Sequence, residues 1–332
     1  MKLLQVVPAL PPRLEGIGGY ALALATTLRS RGIETIFSCE HTAAVDFEVE
    51  GLRSPARSLP TLLHYANYGY HRHGLPRDLV EGVATERESG AIPRLAIFFH
   101  EFLASGRPWN RTFWTTRIQR RLARRLTGVA DSGLTTIPIY ADLLRDLAPQ
   151  LSVRCLAMPS PVGEPPMSPP WTQRAGNAIV FGGPGNRGMV YSALGRTSVA
   201  LSAIGVRTIL DVGPGAQVAP SRIGDVPIEV RGEMAAADLS ALLLDTRLGF
   251  SAYPADFLGK STAFAALAAH GVPCLALRGP SIALVDAPCV LPQQAHDQHC
   301  LEIVGQQVRA WYRKHDLATH AAATLTAVGL GE

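Results

Sequence analysis

The stretch RLGFSAYPADFLGKSTAFAALAAHGVP, residues 247–273, decides how the fold is read. It opens on a short apolar run, crosses a proline-bearing loop, and continues as an alanine-rich helical segment closed by Gly271 and Pro273. Strand, loop and helix in that order are the unit from which parallel sheets are built. Lys260, Ser261 and Thr262 fall at the helix start, after Gly259. Free amides, the helix dipole, a cation and two hydroxyls meet there, a combination suited to a diphosphate. A serine-capped helix with a solvated lysine would use the same residues. The stretch nearly spells the P-loop GxxxxGK[ST], but Pro254 holds the first glycine position and offers neither its amide nor its freedom, so an ATPase loop is not expected.

The same alternation extends in both directions. Upstream in the second half lie AIVFGG, a helix after Arg187, RTILDVG, PIEVRGE and a helix at 235–245; downstream, PCLAL and a helical tail over 300–328 able to pack back across the domain boundary. In the first half KLLQVVPAL reads as a strand. GIGGYALALATTLRSRG then supplies a glycine-rich turn and an amphipathic helix stopped at Gly32. Further strands are expected at 33–39, 61–66, 94–100, 127–132 and 153–158, with helices near 76–86, 111–126 and 137–147. Between them PSPVGEPPMSPPW carries six prolines, which deny backbone donors and mark an extended linker. The expected organisation is an N-terminal domain over 1–160, a linker over 161–175 and a C-terminal domain over 176–332. Both are doubly wound α/β sheets of Rossmann-like kind, facing across a cleft.

Composition agrees with a globular chain. At 332 residues, 47% hydrophobic and 17% charged, it has material for two cores. A net charge of +4 implies no long polyanion as partner, so no nucleic acid is expected. Five scattered cysteines without CxxC spacing fit a reducing, cytoplasmic setting, and no apolar run is long enough to span a membrane.

Ligands of open parallel sheets bind beyond the strands' carboxyl ends, so the candidate residues are those in the loops there. In the first half these are Gly16, Gly18 and Gly19 after the first strand, and His100 with Glu101 after RLAIFF, an imidazole and a carboxylate at a strand end. In the second half Gly183, Gly185 and Gly188 spell GxGxxG directly after a strand, with Asp211 ending the next strand where a dinucleotide-binding domain keeps its ribose acid. That supports an NAD-dependent oxidoreductase as one alternative. Arg187 inside the same loop suits a glycosyl diphosphate instead, through bidentate guanidinium contacts. WNRTFWTTRIQRRLARRL forms an amphipathic basic helix with Arg117, Arg120, Arg121, Arg124 and Arg125 beside Trp114, Ile118, Leu122 and Leu126. Its basic face is either solvated or peripheral to an anionic membrane. His296, His299 and Cys300 lack a fourth spaced ligand, and no metal site is expected.

Taken together, GIGGY with its helix, HE after a mid-domain strand, the Pro-rich link, the arginine-bearing loop and AALAAHGVP resemble the GT-B glycosyltransferases, particularly the retaining, glycogen-synthase-like family 4. The resemblance spans nearly the whole chain. It implies transfer of a hexose from a UDP- or GDP-linked donor, used as substrate with no resident cofactor, to a glycan or lipid-linked acceptor in polysaccharide or glycoconjugate biosynthesis. It implies that Arg187, Lys260 and amides near Ser261 and Thr262 meet the donor diphosphate, while Gly18, Gly19 and His100 line the reacting sugar. On that reading Arg187→Ala and Lys260→Ala each depress turnover while folding survives. The family's two glutamates, eight positions apart, fall here on Leu258 and Ala266; Glu233 or Asp256 would have to replace them. A catalytically inactive GT-B scaffold module is therefore the other alternative.

Overall fold

The computed structural model describes residues 1–11, 16–39, 45–51, 58–103, 111–197, 199–215, 219–281 and 285–331, with the side chains of 111–114 excepted. The chain divides into two units, Met1–Leu156 with Leu317–Glu332, and Ala157–Asp316.

The first unit alternates strands and helices: β1 (Lys2–Val6), α1 (Gly16–Arg29), β2 (Glu34–Cys39), β3 (Glu48–Gly51), β4 (Thr61–Ala66), α2 (Asn67–Tyr70), α3 (Arg77–Glu88), β5 (Leu95–Glu101), α4 (Arg111–Val129), β6 (Ser132–Thr135), α5 (Pro138–Leu147) and β7 (Val153–Cys155). Its sheet runs β3-β2-β1-β4-β5-β6-β7, parallel throughout. Leu95 to His100 in β5 are buried without alternation, as expected of a strand covered on both faces. α1 ends in a glycine stop: Gly32 has φ +77°, and the N–H of Ile33 reaches back to the Leu28 carbonyl at 3.1 Å.

The second unit contains β8 (Asn177–Phe181), α6 (Pro184–Leu194), β9 (Thr208–Val212), β10 (Arg222–Ile223), β11 (Val226–Gly232), α7 (Ala236–Leu244), β12 (Leu248–Pro254), α8 (Thr262–Ala269), β13 (Cys274–Arg278) and α9 (Gln298–Tyr312). Its sheet runs β10-β11-β9-β8-β12-β13 and is parallel except at β10–β11. α10 (Leu317–Ala327) returns to the first unit, where its His320 bonds Tyr20 of α1 and the Ala327 carbonyl accepts from Ser132 Oγ at 3.0 Å.

Several elements depart from the sequence expectation. The strand placed at 127–132 is the end of α4, and β6 follows at Ser132–Thr135; Ala123 and Leu126 keep their buried helical spacing into Thr127, so the helix runs on. The glycines Gly16, Gly18 and Gly19 lie within α1, not in a turn before it, and α6 starts ahead of Arg187. The single tail helix is two, broken at 313–316, and the second belongs to the first unit although the residues 317–332 were assigned to the second domain by pattern. Among the described residues no helix is long and apolar enough to cross a membrane.

Candidate functional site

In the second unit the strand order reverses direction between β8 and β12, neighbours paired through Leu248 with Ala178 and Gly249 with Ile179. Such a switch point opens a crevice at the strands' carboxyl ends. Two loops flank it. After β8, Gly182 and Gly183 lead into α6, with Gly183 as its N-cap and Pro184 at the first helical position. Gly183 and Gly185 are exposed and Gly188 half-exposed, and a side chain on any of the three would meet nothing within 4 Å. The packing of α6 therefore does not demand these glycines. After β12, the 3-10 turn Ala255–Lys260 carries the half-buried Lys260 to the start of α8. Ser261 caps α8, its Oγ accepting from the Phe264 N–H at 3.2 Å, while the Ala265 N–H bonds the Ser261 carbonyl. The amides of Thr262 and Ala263 lie between these bonds at the helix end, where an anion is favoured. Glu233 is exposed just beyond β11, two strands away from β8.

Arg187 sits where no diphosphate reaches it. Its guanidinium is 1% exposed and pairs with the fully buried Asp211. Its Nε donates to the Gly182 carbonyl at 3.0 Å and its NH2 to the Pro214 carbonyl at 2.6 Å. Tyr191 Oη donates to the other Asp211 oxygen at 2.6 Å, and burial together with that carboxylate pushes the phenol's pKa up. The helix turns Arg187 inward beneath the glycine loop instead of outward. The role assigned to it by pattern is thereby corrected: it braces the loop from below. The same pair removes the acid that the dinucleotide reading needs, because both Asp211 oxygens are taken inside the protein.

In the first unit β1, β4 and β5 bring together a polar chain inside an apolar layer. Gln5 Oε1 lies 2.8 Å from His64 Nε2, and His64 Nδ1 lies 3.1 Å from His100 Nε2. Gln5 and His64 are fully buried and His100 nearly so. Burial pushes the His64 pKa down to about 3, so the ring is neutral, with one nitrogen donating and the other accepting. Tyr20 meets His64, Phe98, His100 and His320 edge-on, and its hydroxyl is 2.8 Å from His320 Nδ1. His100 stacks on Phe98 with centroids 4.3 Å apart. The imidazole expected at an open strand end is thus sealed against the α1 and α10 layer, whereas Glu101, next along the strand, is exposed. Gly18 is buried against the segment after β1, where a Cβ would stand 2.3 Å from the Ala9 carbonyl oxygen; Gly19 is exposed with open space beside it. Of the residues chosen by pattern, Gly183, Gly185 and Gly188 follow β8, and Lys260, Ser261 and Thr262 follow the neighbouring β12, so the two segments flank the second unit's switch point. The Arg187 guanidinium is buried away from that switch point's open side, and Glu233 follows β11, two strands from β8.

Leu258 and Ala266 are fully buried in the second unit's core, and Asp256 is buried with Oδ1 accepting from the Ser281 N–H at 3.0 Å. His299 and Cys300 lie in the first turns of α9, capped by Asp297. No cluster of three potential metal ligands occurs among the described residues. Sequence reading missed the Gln5–His64–His100 chain, although a glutamine in KLLQVV and a histidine in TLLHYA, polar groups inside fully apolar strands, are the trace it leaves.

No protein-family profile matches the chain, and no curated protein sequence matches it. Solved structures do. The chain is similar to HepE from Anabaena, solved in complex with UDP and glucose, with a TM-score of 0.56 and 12% identity over 98% of this chain and 99% of that one. It is similar to WaaG, a glycosyltransferase involved in lipopolysaccharide biosynthesis, at TM-score 0.57 and 12% identity over 99% and 100% of the two chains. A glycosyltransferase from Rickettsia africae gives 0.55 and 10% over 98% of each. At these identities the likeness defines the fold, which is GT-B: two Rossmann-like domains in one chain.

Proposed function

We propose that the chain is a glycosyltransferase, transferring a sugar from a UDP- or GDP-linked donor to a glycan or lipid-linked acceptor in polysaccharide or glycoconjugate biosynthesis. The observation that carries this is the second unit's switch point within a GT-B fold, where an open glycine-rich helix start and the Lys260–Thr262 segment flank neighbouring parallel strands. The similar structures add support, one holding UDP and glucose and another acting in lipopolysaccharide biosynthesis. The proposal places the donor diphosphate against the amides that open α6 and α8, with Lys260 supplying the cation. As the glycosidic bond breaks, negative charge builds on the departing phosphate. Preorganised amides and a lysine in place before the reaction stabilise that charge by several kcal/mol. No protein nucleophile and no metal enters this scheme. A retaining hexosyl transfer in the cytoplasm is part of the same proposal, resting on the family resemblance.

The test is release of UDP or GDP from a panel of nucleotide sugars, with and without lipid-linked and oligosaccharide acceptors. The expected result is turnover with one donor base, falling about 100-fold in Lys260→Ala at unchanged melting temperature. Absence of both turnover and binding for every donor would defeat the proposal. A second reading, an inactive GT-B module, draws on the burial of Leu258 and Ala266 where the family keeps glutamates. It predicts nucleotide binding without release.

A further inference from the structure

At the amino ends of β1, β2 and β3, opposite the carboxyl ends where parallel sheets take their ligands, the first unit has an open cavity of about 520 Å³, a volume typical of small-molecule sites. Thr35 on β2 lines it. The residue is 5% exposed, and its Oγ1 has no hydrogen-bond partner among the described residues. Valine has the same shape, is equally at home in a strand and would leave no hydroxyl unmatched there. Side chains two apart on a strand share a face, so Thr35 projects to the side of Phe37, whose ring meets Phe47 edge-on at 5.5 Å. Over Phe47 lies Arg29, the last residue of α1, its guanidinium carbon 3.9 Å from the ring centroid. Arg29 NH1 is 2.9 Å from Asp46 Oδ2, and its NH2 donates to the Asp46 carbonyl. A second ion pair, Lys2 Nζ with Glu34 Oε2 at 3.5 Å, also borders the cavity. Aromatic ring, paired charges and an unmatched hydroxyl are thus in place around one opening.

We propose that this cavity binds a neutral sugar unit of a glycan, at the end of the sheet opposite the first unit's own ligand crevice. The proposal rests on the glycosyltransferase reading for the source of the ligand, while the cavity's chemistry sets its class. α1 ends at Arg29 and brings the negative end of its dipole there, and the lining carries three carboxylates, Glu34, Asp46 and Glu48, against two cations, Lys2 and Arg29. A phosphate or other anion is therefore disfavoured. A cation finds Glu34 and Asp46 already paired. What the pairs offer instead is donors and acceptors side by side, and vicinal hydroxyls, each able to donate and accept, match that array. The Thr35 hydroxyl, which also does both, takes one more. Ile36, Val45 and Phe47 line the same cavity with apolar surface suited to the C–H edges of a sugar ring. A glycan held here at one unit keeps its remaining units at high effective concentration around the protein.

The experiment is titration of the full chain, followed by ligand-observed nuclear magnetic resonance, with maltohexaose, cellohexaose, laminarihexaose and mannohexaose, and with trigalacturonate and spermidine as charged controls. The expected result is binding of at least one neutral hexasaccharide and of neither control. Thr35→Val weakens that binding about tenfold while melting no lower than wild type, and Asp46→Ala weakens it separately. No binding by any of the four sugars, equal or tighter binding of either control, or unchanged affinity in both variants would each overturn the site. Melting with UDP and GDP, read on the same samples, separates this inference from the reading it rests on. Nucleotide stabilisation without sugar binding overturns the site and leaves the transferase, whereas Thr35-dependent sugar binding without nucleotide stabilisation keeps the site and sinks the transferase.

Discussion

Arg187 and Asp211 form an ion pair sealed inside the second unit, with Tyr191 closing the carboxylate's other oxygen and two loop carbonyls taking further guanidinium hydrogens. The carbonyls belong to Gly182 and Pro214, so the pair ties the loop after β8 to the loop after β9. Arg187 thereby shapes the glycine-rich loop without touching anything that binds outside it.

Removing one partner of such a pair strands a buried charge. Arg187→Met is expected to cost about 3–5 kcal/mol in urea unfolding, in contrast to the folding-neutral outcome the sequence pattern implies. The double variant Arg187→Met/Asp211→Asn is expected to be more stable than Arg187→Met alone, because no buried charge is left and Asn still accepts from Tyr191. Equal stability of the single and double variants would contradict the ion-pair account.

His64 makes the first unit's stability depend on pH. Its pKa is about 3 in the folded protein because burial disfavours the cation, against about 6.5 in the unfolded chain. Between those values the unfolded state binds the additional proton. The contribution is therefore complete above about pH 6.5 and is lost as pH falls from there toward about 3. The wild-type protein is expected to lose up to roughly 1.4 kcal/mol per pH unit more than His64→Gln over that window. Parallel stability profiles for the two proteins would rule this out.

Two glycines that look alike in sequence are expected to respond oppositely to alanine. Gly18→Ala drives a Cβ into the Ala9 carbonyl, a backbone atom that cannot swing aside, and thermal unfolding is expected to show a loss of about 1–3 kcal/mol. Gly185→Ala meets open space in the first turn of α6 and is expected to hold or raise stability, by up to about 1 kcal/mol. If the donor approaches that turn closely, the same substitution weakens nucleotide binding in calorimetry; unchanged affinity would separate α6 from the site.

The doubly wound pattern was legible because β1, β5, β8 and β12 are mainly apolar runs followed by helical periodicity, and parallel sheets produce that pattern. β6 was not, because Thr127 and Val129 favour strand locally while Ala123 and Leu126 hold α4 against the core for one more turn. At the candidate site, the loops after β8 and β12 were legible from their glycines and from GKST. The direction of the Arg187 side chain was not. Arg187 and Asp211 each invited a separate ligand role, and their pairing across 24 residues exists only once β8 and β9 lie side by side. His100 was visible at the end of its strand but gave no sign of His64, which a different strand delivers.

The central claim is that the second unit's switch point holds a nucleoside diphosphate. Thermal unfolding with UDP, GDP, ADP and NAD tests it most directly, since a ligand that binds only the native state raises the melting temperature, and the more so the tighter it binds. The account predicts stabilisation by UDP or GDP, abolished in Lys260→Ala while that variant alone melts as wild type does. Stabilisation by NAD alone, by no nucleotide at all, or undiminished in Lys260→Ala would contradict it.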